Sequence, residues 1–560
     1  MQPLVSAMTT IHRSLLAAIV KQLLRGKSLI QSLLTFWTTS SHRPSSAKKS
    51  STSSSSSSQS IYEGGKVSAP YAPGLRRSTQ DFLREVEDLI LGPLLDNGLL
   101  ELSHALKTQF RARLQTDPAC MLPSFNHKLP TGLERGRYLA LDVGGSTLRV
   151  ALVELRGHDY EIKGKESEIV GMKSFRIDKT IKDLEGLAFF DWMADRIVET
   201  LENEEEGRRA EQDGALPMAL SWSFPIEQTS LRSGRIHGMG KGFRAADGLQ
   251  GQDLGTVIEA ACRRSGLVAE LLVILNDGNA TLLSRAYTHP ATRFGLILGT
   301  GVNIAAHLPV PLIGAAKFGE RPQEWFEEAQ SVIVNTELGM FGHDILSITR
   351  WDADLKAGHP RPDFQPLEHM LSGMYLGEVA RFVLIEAITT TGIFGGVVPE
   401  NLSEPYSLST ETMSMAESDN ATLETAIAAF AARHPSPHAP TATDLAFFRD
   451  ISALISRRSA AILAAAVHGI WDLRLDGVRE TLPTLSPSEA ATAETELALK
   501  HTMVAFNGSV LESYPGYRDM CQSFVNELLE ASGKSGLSID LVPAKESSII
   551  GAGVALAAVV

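Results

Sequence analysis

The segment Tyr138–Leu155, YLALDVGGSTLRVALVEL, constrains the fold more than any other stretch of the chain. Two apolar runs flank Gly144-Gly145, a pattern that predicts two strands joined by a tight turn. Further strands are predicted at 217–223, 271–275, 294–298, 502–506 and 538–542. Helices are predicted between them at 252–265, 367–390, 446–472 and 518–532. A helical segment at 78–118 precedes them, with Phe82, Val86, Leu89, Ile90, Leu94 and Leu95 at helical spacing. Strands alternating with helices imply an α/β architecture. The stretch 401–445, rich in Ser, Thr, Ala and Pro, reads as a surface excursion around one short helix at 423–433. No fixed-period repeat is visible.

Composition narrows the function classes. With 43% hydrophobic and 21% charged residues, the 560-residue chain is neither wholly disordered nor fibrous. Its length allows roughly three or four domains, or two large lobes. A net charge of −13 argues against nucleic acid as the main partner. The average hides a split, because residues 1–62 contain Arg13, Lys21, Arg25, Lys27, Arg43, Lys48 and Lys49 and no acid. Residues 11–37 place apolar side chains at helical spacing, interrupted by Lys21, Arg25 and Lys27. A basic amphipathic helix of this kind suits a mitochondrial address or a membrane-surface anchor, and a poorly ordered extension is the alternative. A secretory signal fits less well, since no small-residue cleavage site follows. Residues 44–60 form a serine-rich linker. Cys120, Cys262 and Cys521 are too far apart for a Cys-rich zinc site or a disulfide framework.

Three turns carry chemistry. Asp142-Val143-Gly144-Gly145-Ser146-Thr147 ends the first strand, where small residues let backbone N–H groups nest an anion and Asp142 can position hydrated Mg²⁺. Read alone, Gly-Gly is also an ordinary hairpin turn. Gly299-Thr300-Gly301-Val302-Asn303 and Phe506-Asn507-Gly508-Ser509 follow two later strands. Three strand-to-glycine turns suggest a nucleotide cradle built from separate loops. Asp277, after the strand LLVIL, can face a cleft as a general base, or can instead cap the helix that follows.

Taken in order, these pieces resemble the hexokinase family of sugar kinases, and an atypical fungal hexokinase in particular, over residues 75–558. LALDVGGSTLRV resembles the family's first phosphate motif and SWSFPIEQTS its sugar motif. Gly240-Lys241-Gly242-Phe243 resembles the segment with the sugar-contacting lysine, and LNDGNATLL the catalytic aspartate motif. GLILGTGVN resembles the second phosphate motif, and VAFNGSV the adenosine motif. Asn335-Thr336-Glu337 and Leu367-Glu368, with SGMYLGEVAR, resemble the two glutamate segments.

The resemblance implies a two-lobed actin-like ATPase fold with an interlobe cleft. The expected small lobe is 138–278, completed by a last helix at 551–560; the large lobe is 279–550, with 63–137 a helical region packed on it. It implies transfer of the γ-phosphoryl of Mg-ATP to the 6-hydroxyl of a hexose, glucose first among them. Asp277 and Lys241 are the implied catalytic residues. Ser223, Lys241, Asn276, Asp277, Asn303, Glu337 and Glu368 are the implied sugar contacts. Asp142, Gly144, Gly145, Ser146, Thr147, Arg149, Gly299, Thr300, Gly301, Gly508 and Ser509 are the implied ATP contacts. No residue is expected to bind metal directly, with Asp142 reaching Mg²⁺ through water.

Departures from the family pattern cluster around the phosphates and the sugar. Thr-Asn becomes Ser146-Thr147, Trp-Thr-Lys becomes Met239-Gly240-Lys241, and Asn-Asp-Thr becomes Asn276-Asp277-Gly278. Glu-Trp-Gly becomes Glu337-Leu338-Gly339, and Asp-Gly-Ser becomes Asn507-Gly508-Ser509. Ser548-Ile549-Ile550 stands where the family has a Gly- and Ser-rich turn, a position where bulky side chains are hard to place. Two readings follow. One is an active hexose kinase; the other is a catalytically impaired, sugar-binding regulator of carbon metabolism. Either is expected in the cytoplasm or on the outer mitochondrial surface, not secreted.

Overall fold

The structure, a computed structural model, describes residues 77–202, 215–240, 242–418 and 422–560. The expectations for residues 11–37 and 44–60 fall outside the described residues, as does the position of Lys241.

In chain order the first strands are β1 (Leu122–Pro123), β2 (Gly136–Val143), β3 (Thr147–Leu155), β4 (Ser167–Arg176) and β5 (Leu216–Trp222). Next come β6 (Ile226–Gln228), β7 (Gly234–Ile236), β8 (Ala269–Leu275), β9 (Thr292–Leu298) and β10 (Val302–Pro309). Last are β11 (Ser331–Asn335), β12 (His501–Asn507) and β13 (Ser538–Pro543). They form a five-stranded sheet in the order β4-β3-β2-β5-β8 and a six-stranded sheet in the order β1-β11-β10-β9-β12-β13, with β6 and β7 a separate ribbon. In each large sheet a three-strand antiparallel meander continues into two parallel strands. The five strands β9 to β13 repeat the order of the first sheet, so the molecule contains one topology twice.

The helices used below are α1 (Thr79–Ile90), α2 (Gly98–Thr116), α3 (Leu187–Leu201), α4 (Leu254–Arg264), α5 (Asp277–Ala286), α6 (Pro366–Leu371) and α7 (Gly373–Thr391). They continue as α8 (Thr410–Ser418), α9 (Glu424–Arg433), α10 (Ala442–Thr481), α11 (Ser509–Ser513), α12 (Tyr517–Ala531) and α13 (Ser547–Ala557). One face of the five-stranded sheet packs on α3 and α4 through Phe189, Phe190, Ile197, Ile258 and Ala261. The other face meets α13, which lies against α5, and α5 in turn reaches the second sheet at Ala305 and Ile333. These two helices pack at backbone distance. A Cβ on Gly551 would sit 2.0 Å from the Ala280 carbonyl oxygen, and α5 approaches β9 as closely, since one on Gly295 would sit 2.2 Å from the Gly278 oxygen. The second sheet is covered by the long helix α10, on which α1, α2 and α12 pack. Helix α10 is apolar enough to cross a membrane by composition, yet 83% of its most apolar window is inside the protein, so it is a core helix.

Several expectations change. The segment 78–118 is two helices, α1 and α2, because Gly92-Pro93 stops the first. The helix expected over 367–390 breaks at Ser372, which has extended backbone, into α6 and α7. The stretch 401–445 is more than a surface excursion: it carries both α8 and α9 and buries Met413, Ala416, Ala426 and Phe430. The last helix begins at Ser547 rather than 551, so Ser548-Ile549-Ile550 is helical and Ile549 is fully buried in the core with α5. The three cysteines are free and buried, and burial pushes the Cys120 and Cys262 thiols up to about 12.

Candidate active site

Strand ends from both sheets carry the side chains singled out above. Strand β8 ends at Leu275, and Asn276 caps α5, with extended backbone and Oδ1 accepting from the Gly278 N–H at 2.8 Å. The cap of α5 is therefore Asn276. Asp277, the first residue of the helix, also accepts the Gly278 N–H through Oδ1 at 2.8 Å.

Glu337 follows β11 in a left-handed conformation, φ 52° and ψ 55°, which costs a non-glycine residue about 1–3 kcal/mol and persists where surroundings hold it. The holding group is Asn335, whose Nδ2 donates to Glu337 Oε1 at 2.8 Å. Asn335 Oδ1 in turn accepts from Asn303 Nδ2 at 2.7 Å. Asn303 Oδ1 accepts the Ile304 N–H at 2.8 Å. An amide chain thus runs Asn303–Asn335–Glu337 across the adjacent strands β10 and β11. Burial raises the Glu337 carboxyl above its ordinary value; the Asn335 bond opposes this, and the Asp277 charge adds to it. Asp277, on the first sheet's side, is thus near enough for its charge to act on Glu337 on the second.

Glu368 lies on α6, and its Oε2 accepts the Val302 N–H at 3.0 Å. A Cβ at Gly301 would come within 2.9 Å of the same oxygen, so a side chain there would shift the Glu368 carboxylate. Ser223, just past β5, donates its backbone N–H to the Val143 carbonyl at 3.2 Å, tying the SWSFP segment to the end of β2. The glycines flanking position 241, Gly240 and Gly242, have φ of 60° and 83°.

The phosphate turns are held together by contacts of their own. Gly144 N–H donates to Thr147 O at 3.0 Å, and Ile177 N–H to Ser146 O at 2.8 Å, which closes the loop containing Gly145. Asp142 is buried, and its Oδ2 accepts from Arg149 Nε at 3.0 Å and Nη2 at 2.6 Å. Arg149 Nη1 donates to Glu546 at 2.6 Å, so one guanidinium bridges two carboxylates. Around the second turn, Gly299 N–H bonds Gly301 O, Gly373 N–H bonds Gly299 O at 2.8 Å, and Met374 N–H bonds Thr300 O. Gly508, at φ 123°, packs where a Cβ would meet the Leu298 oxygen at 2.4 Å, and Gly299 faces the Ser509 nitrogen. Thr410 Oγ1 donates to Gly373 O at 2.7 Å and accepts from Gly377 N–H at 3.0 Å. The starts of α7, α8 and α11 therefore converge on Gly299. Asn507 Nδ2 donates to Ala544 O at 3.1 Å, linking this group to the chain leading to Glu546 and so to Arg149.

The sequence reading did not pick out Asn335, Gly373, Thr410 or Glu546 as site residues. Asn335 and Gly373 lie inside quoted motifs; Thr410 and Glu546 carry no local signal. The departures find local explanations. Leu338 and Met239 are buried apolar side chains, Gly240 takes a backbone conformation that threonine rarely adopts, and Asn507 donates a bond that aspartate could not.

Two family models, both described as hexokinase, match residues 93–287 and 293–558. Hexokinase-1 of Nicotiana tabacum is 30% identical over 461 residues, covering 80% of this chain and 85% of that protein. The chain belongs to the hexokinase family. Hexokinase-1 of Schizosaccharomyces pombe is 29% identical over 493 residues, covering 85% of this chain and 90% of that protein. Among solved structures, a hexokinase from Schistosoma mansoni complexed with glucose superposes with a TM-score of 0.68 at 24% identity, covering 86% of this chain and all of that one. That likeness gives the α/β, two-lobed hexokinase fold. Family membership makes the chain a hexokinase-like sugar kinase, of a class that draws its phosphoryl group from ATP.

Proposed function

We propose that the chain is a working ATP:hexose 6-phosphotransferase with glucose as substrate and Asp277 as its general base. The observation that carries this reading is the action of the Asp277 charge on half-buried Glu337, with Asn303 and Glu368 anchored beside them. A hexose needs polar partners on each hydroxyl once buried, and this group offers carboxylates and amides on one side and a base on the other. Asp277 accepts the proton of the attacking hydroxyl; Asn276, Asn303, Glu337, Glu368 and Ser223 orient the ring, together with Lys241. Positioning and charge stabilisation then supply most of the catalysis. The S. mansoni hexokinase, whose structure contains glucose, supports the choice of sugar.

The nucleotide side fits ATP with a divalent cation. Three glycine turns stand at strand ends, and both Arg149 bonds to Asp142 fall on Oδ2, which suits a carboxylate whose other oxygen serves a hydrated cation. Asp142 would hold hydrated Mg²⁺ there with ATP, and the cation would supply charge neutralisation at the transferring phosphoryl group. The proposed phosphate contacts are Gly144–Thr147, Gly299–Gly301, Gly508 and Ser509. Burial of Ile549 inside α13 supports activity, since the side chain turns into the core.

One observation favours the impaired regulator instead: Arg149 is already bonded by two carboxylates beside the first phosphate turn. A coupled assay separates the readings. Glucose-dependent ADP release with Mg-ATP, abolished by Asp277→Ala, is expected; its absence at high protein concentration overturns the kinase reading. Calorimetric glucose binding lost in Glu337→Ala then decides whether a sugar sensor remains. For residues 11–37 we keep the membrane-surface or mitochondrial address, tested by microscopy of residues 1–62 fused to a fluorescent reporter; diffuse signal overturns it.

A further inference from the structure

Backbone donors fix the direction of the amide chain that ends at Glu337. Asn303 Oδ1 accepts the Ile304 N–H at 2.8 Å, and the Leu338 N–H and Thr336 Oγ1 approach the same oxygen at 3.4 Å. A backbone N–H can only donate, so the oxygen of the Asn303 amide must face these groups and its Nδ2 must face Asn335. The atom of Asn335 that receives this Nδ2, at 2.7 Å, is then its oxygen, and its own Nδ2 is turned to Glu337 Oε1 at 2.8 Å. Register makes the reach possible: Asn335 is the Cα partner of Ala305, so Asn303 is its diagonal neighbour across β10 and β11. Each end of the chain keeps one unused valence. The second N–H of Asn303 Nδ2 and Oε2 of Glu337 take no partner among the described residues. We propose that Asn335 is a positioning residue for sugar specificity: it relays the direction set at the Ile304 N–H to Glu337, so that the site offers a ring one donor at Asn303 and one acceptor at Glu337 and cannot exchange them.

The relay needs an amide at 335. Aspartate there could accept from Asn303 but could not donate to Glu337, and it would set a like charge beside that carboxylate. Alanine would release both neighbours, and each would then lose more rotamer freedom on meeting a ligand. The fixed polarity has a chemical consequence for the ring. A hydroxyl both donates and accepts, so it suits either group. Fluorine accepts weakly and never donates. It can therefore stand in for a hydroxyl opposite the Asn303 N–H, and it cannot do so opposite the Glu337 carboxylate, which only accepts.

This inference rests on the sugar site proposed above, and the test separates the two. In the full-length protein at pH 8, calorimetry gives the affinities of glucose and of its monodeoxy and monodeoxyfluoro analogues for wild type, Asn335→Asp and Asn335→Ala. In wild type, loss of the hydroxyl opposite Glu337 should weaken binding roughly 10- to 100-fold, the worth of a hydrogen bond to a charged group, with fluorine no better than hydrogen there. At a second ring position, opposite Asn303, fluorine should bind several-fold tighter than hydrogen. Asn335→Asp should lose the first penalty and keep the second preference, and Asn335→Ala should lose both. Fluorine better than hydrogen at every position where the hydroxyl matters, or at none of them, overturns the fixed polarity, and this result needs no variant to fold. An equal loss across all analogues in both variants overturns the relay, because a merely structural residue weakens every sugar alike; so does an Asn335→Ala variant that binds the whole series as wild type does. If wild type binds no sugar of the series, the sugar-site reading falls and this inference with it.

Discussion

The Asp277 charge adds to the cost of ionising Glu337, and that fixes what a single substitution does. Asp277→Asn keeps the shape and the Gly278 contact but removes the base, so kcat should fall by roughly 10²- to 10⁴-fold, as read in the coupled ADP assay. The same change should stabilise the fold. Because the folded Glu337 carboxyl titrates above its unfolded value, stability falls as pH rises between those two values, and the loss is complete above the folded one. Removing the Asp277 charge takes away part of that loss. The melting temperature of Asp277→Asn should therefore exceed wild type at pH 7.5, and the gain should vanish near pH 4, where both proteins carry a neutral Glu337. A variant less stable than wild type at pH 7.5 would show that Asp277 is held by partners worth more than the repulsion. At this scale the base was legible in LNDG, because a carboxylate at a strand end is a local pattern. Its coupling to a residue 60 positions away, and the Asn335 link that orients Glu337, depend on which strands are neighbours and leave no mark on spacing.

Elements were legible wherever periodicity was strong. Strands β2 and β3 and helices α4, α10 and α12 stand where apolar spacing puts them. Strand β4 escaped because it is an edge strand with Glu168, Lys173, Ser174 and Arg176 among its residues, leaving little apolar alternation to read. Helix α13 starts earlier than the resemblance implies, because Ile549, at the family's turn position, is buried in a helix packed on α5. Two substitutions test that packing. Gly551→Ala puts a methyl against the Ala280 carbonyl and should cost about 1–3 kcal/mol in urea unfolding, the usual price of overpacking. Asn507→Asp restores the family's residue yet removes the donor to Ala544 O and turns a carboxylate toward that carbonyl, so it should destabilise by about 1–3 kcal/mol rather than improve turnover. An Asn507→Asp variant with unchanged stability and faster ADP release would show that the family's aspartate is worth more here than the Ala544 bond.

At the scale of the whole molecule, the repeated sheet topology divides the proposed sugar contacts between its two sides. Ser223, Asn276 and Asp277 sit at strand ends of the first sheet; Asn303 and Glu337 belong to the second, and Glu368 of α6 is bonded to it through Val302. The sequence shows no period because the two halves share strand order rather than residues. A ligand bonded to both halves stabilises the arrangement in which they are closest, and its binding energy offsets the cost of ordering the approach. Glucose at about 100 times its dissociation constant should add about 2.7 kcal/mol to unfolding free energy and raise the melting temperature. It should also reduce the radius of gyration measured by small-angle scattering. Glu337→Ala leaves the first sheet's contacts intact while removing a partner on the second, so at saturating glucose it should show less compaction than wild type. Equal compaction in Glu337→Ala and wild type would mean that the sugar acts from one sheet alone, and that the duplicated topology carries the site without being drawn together by it.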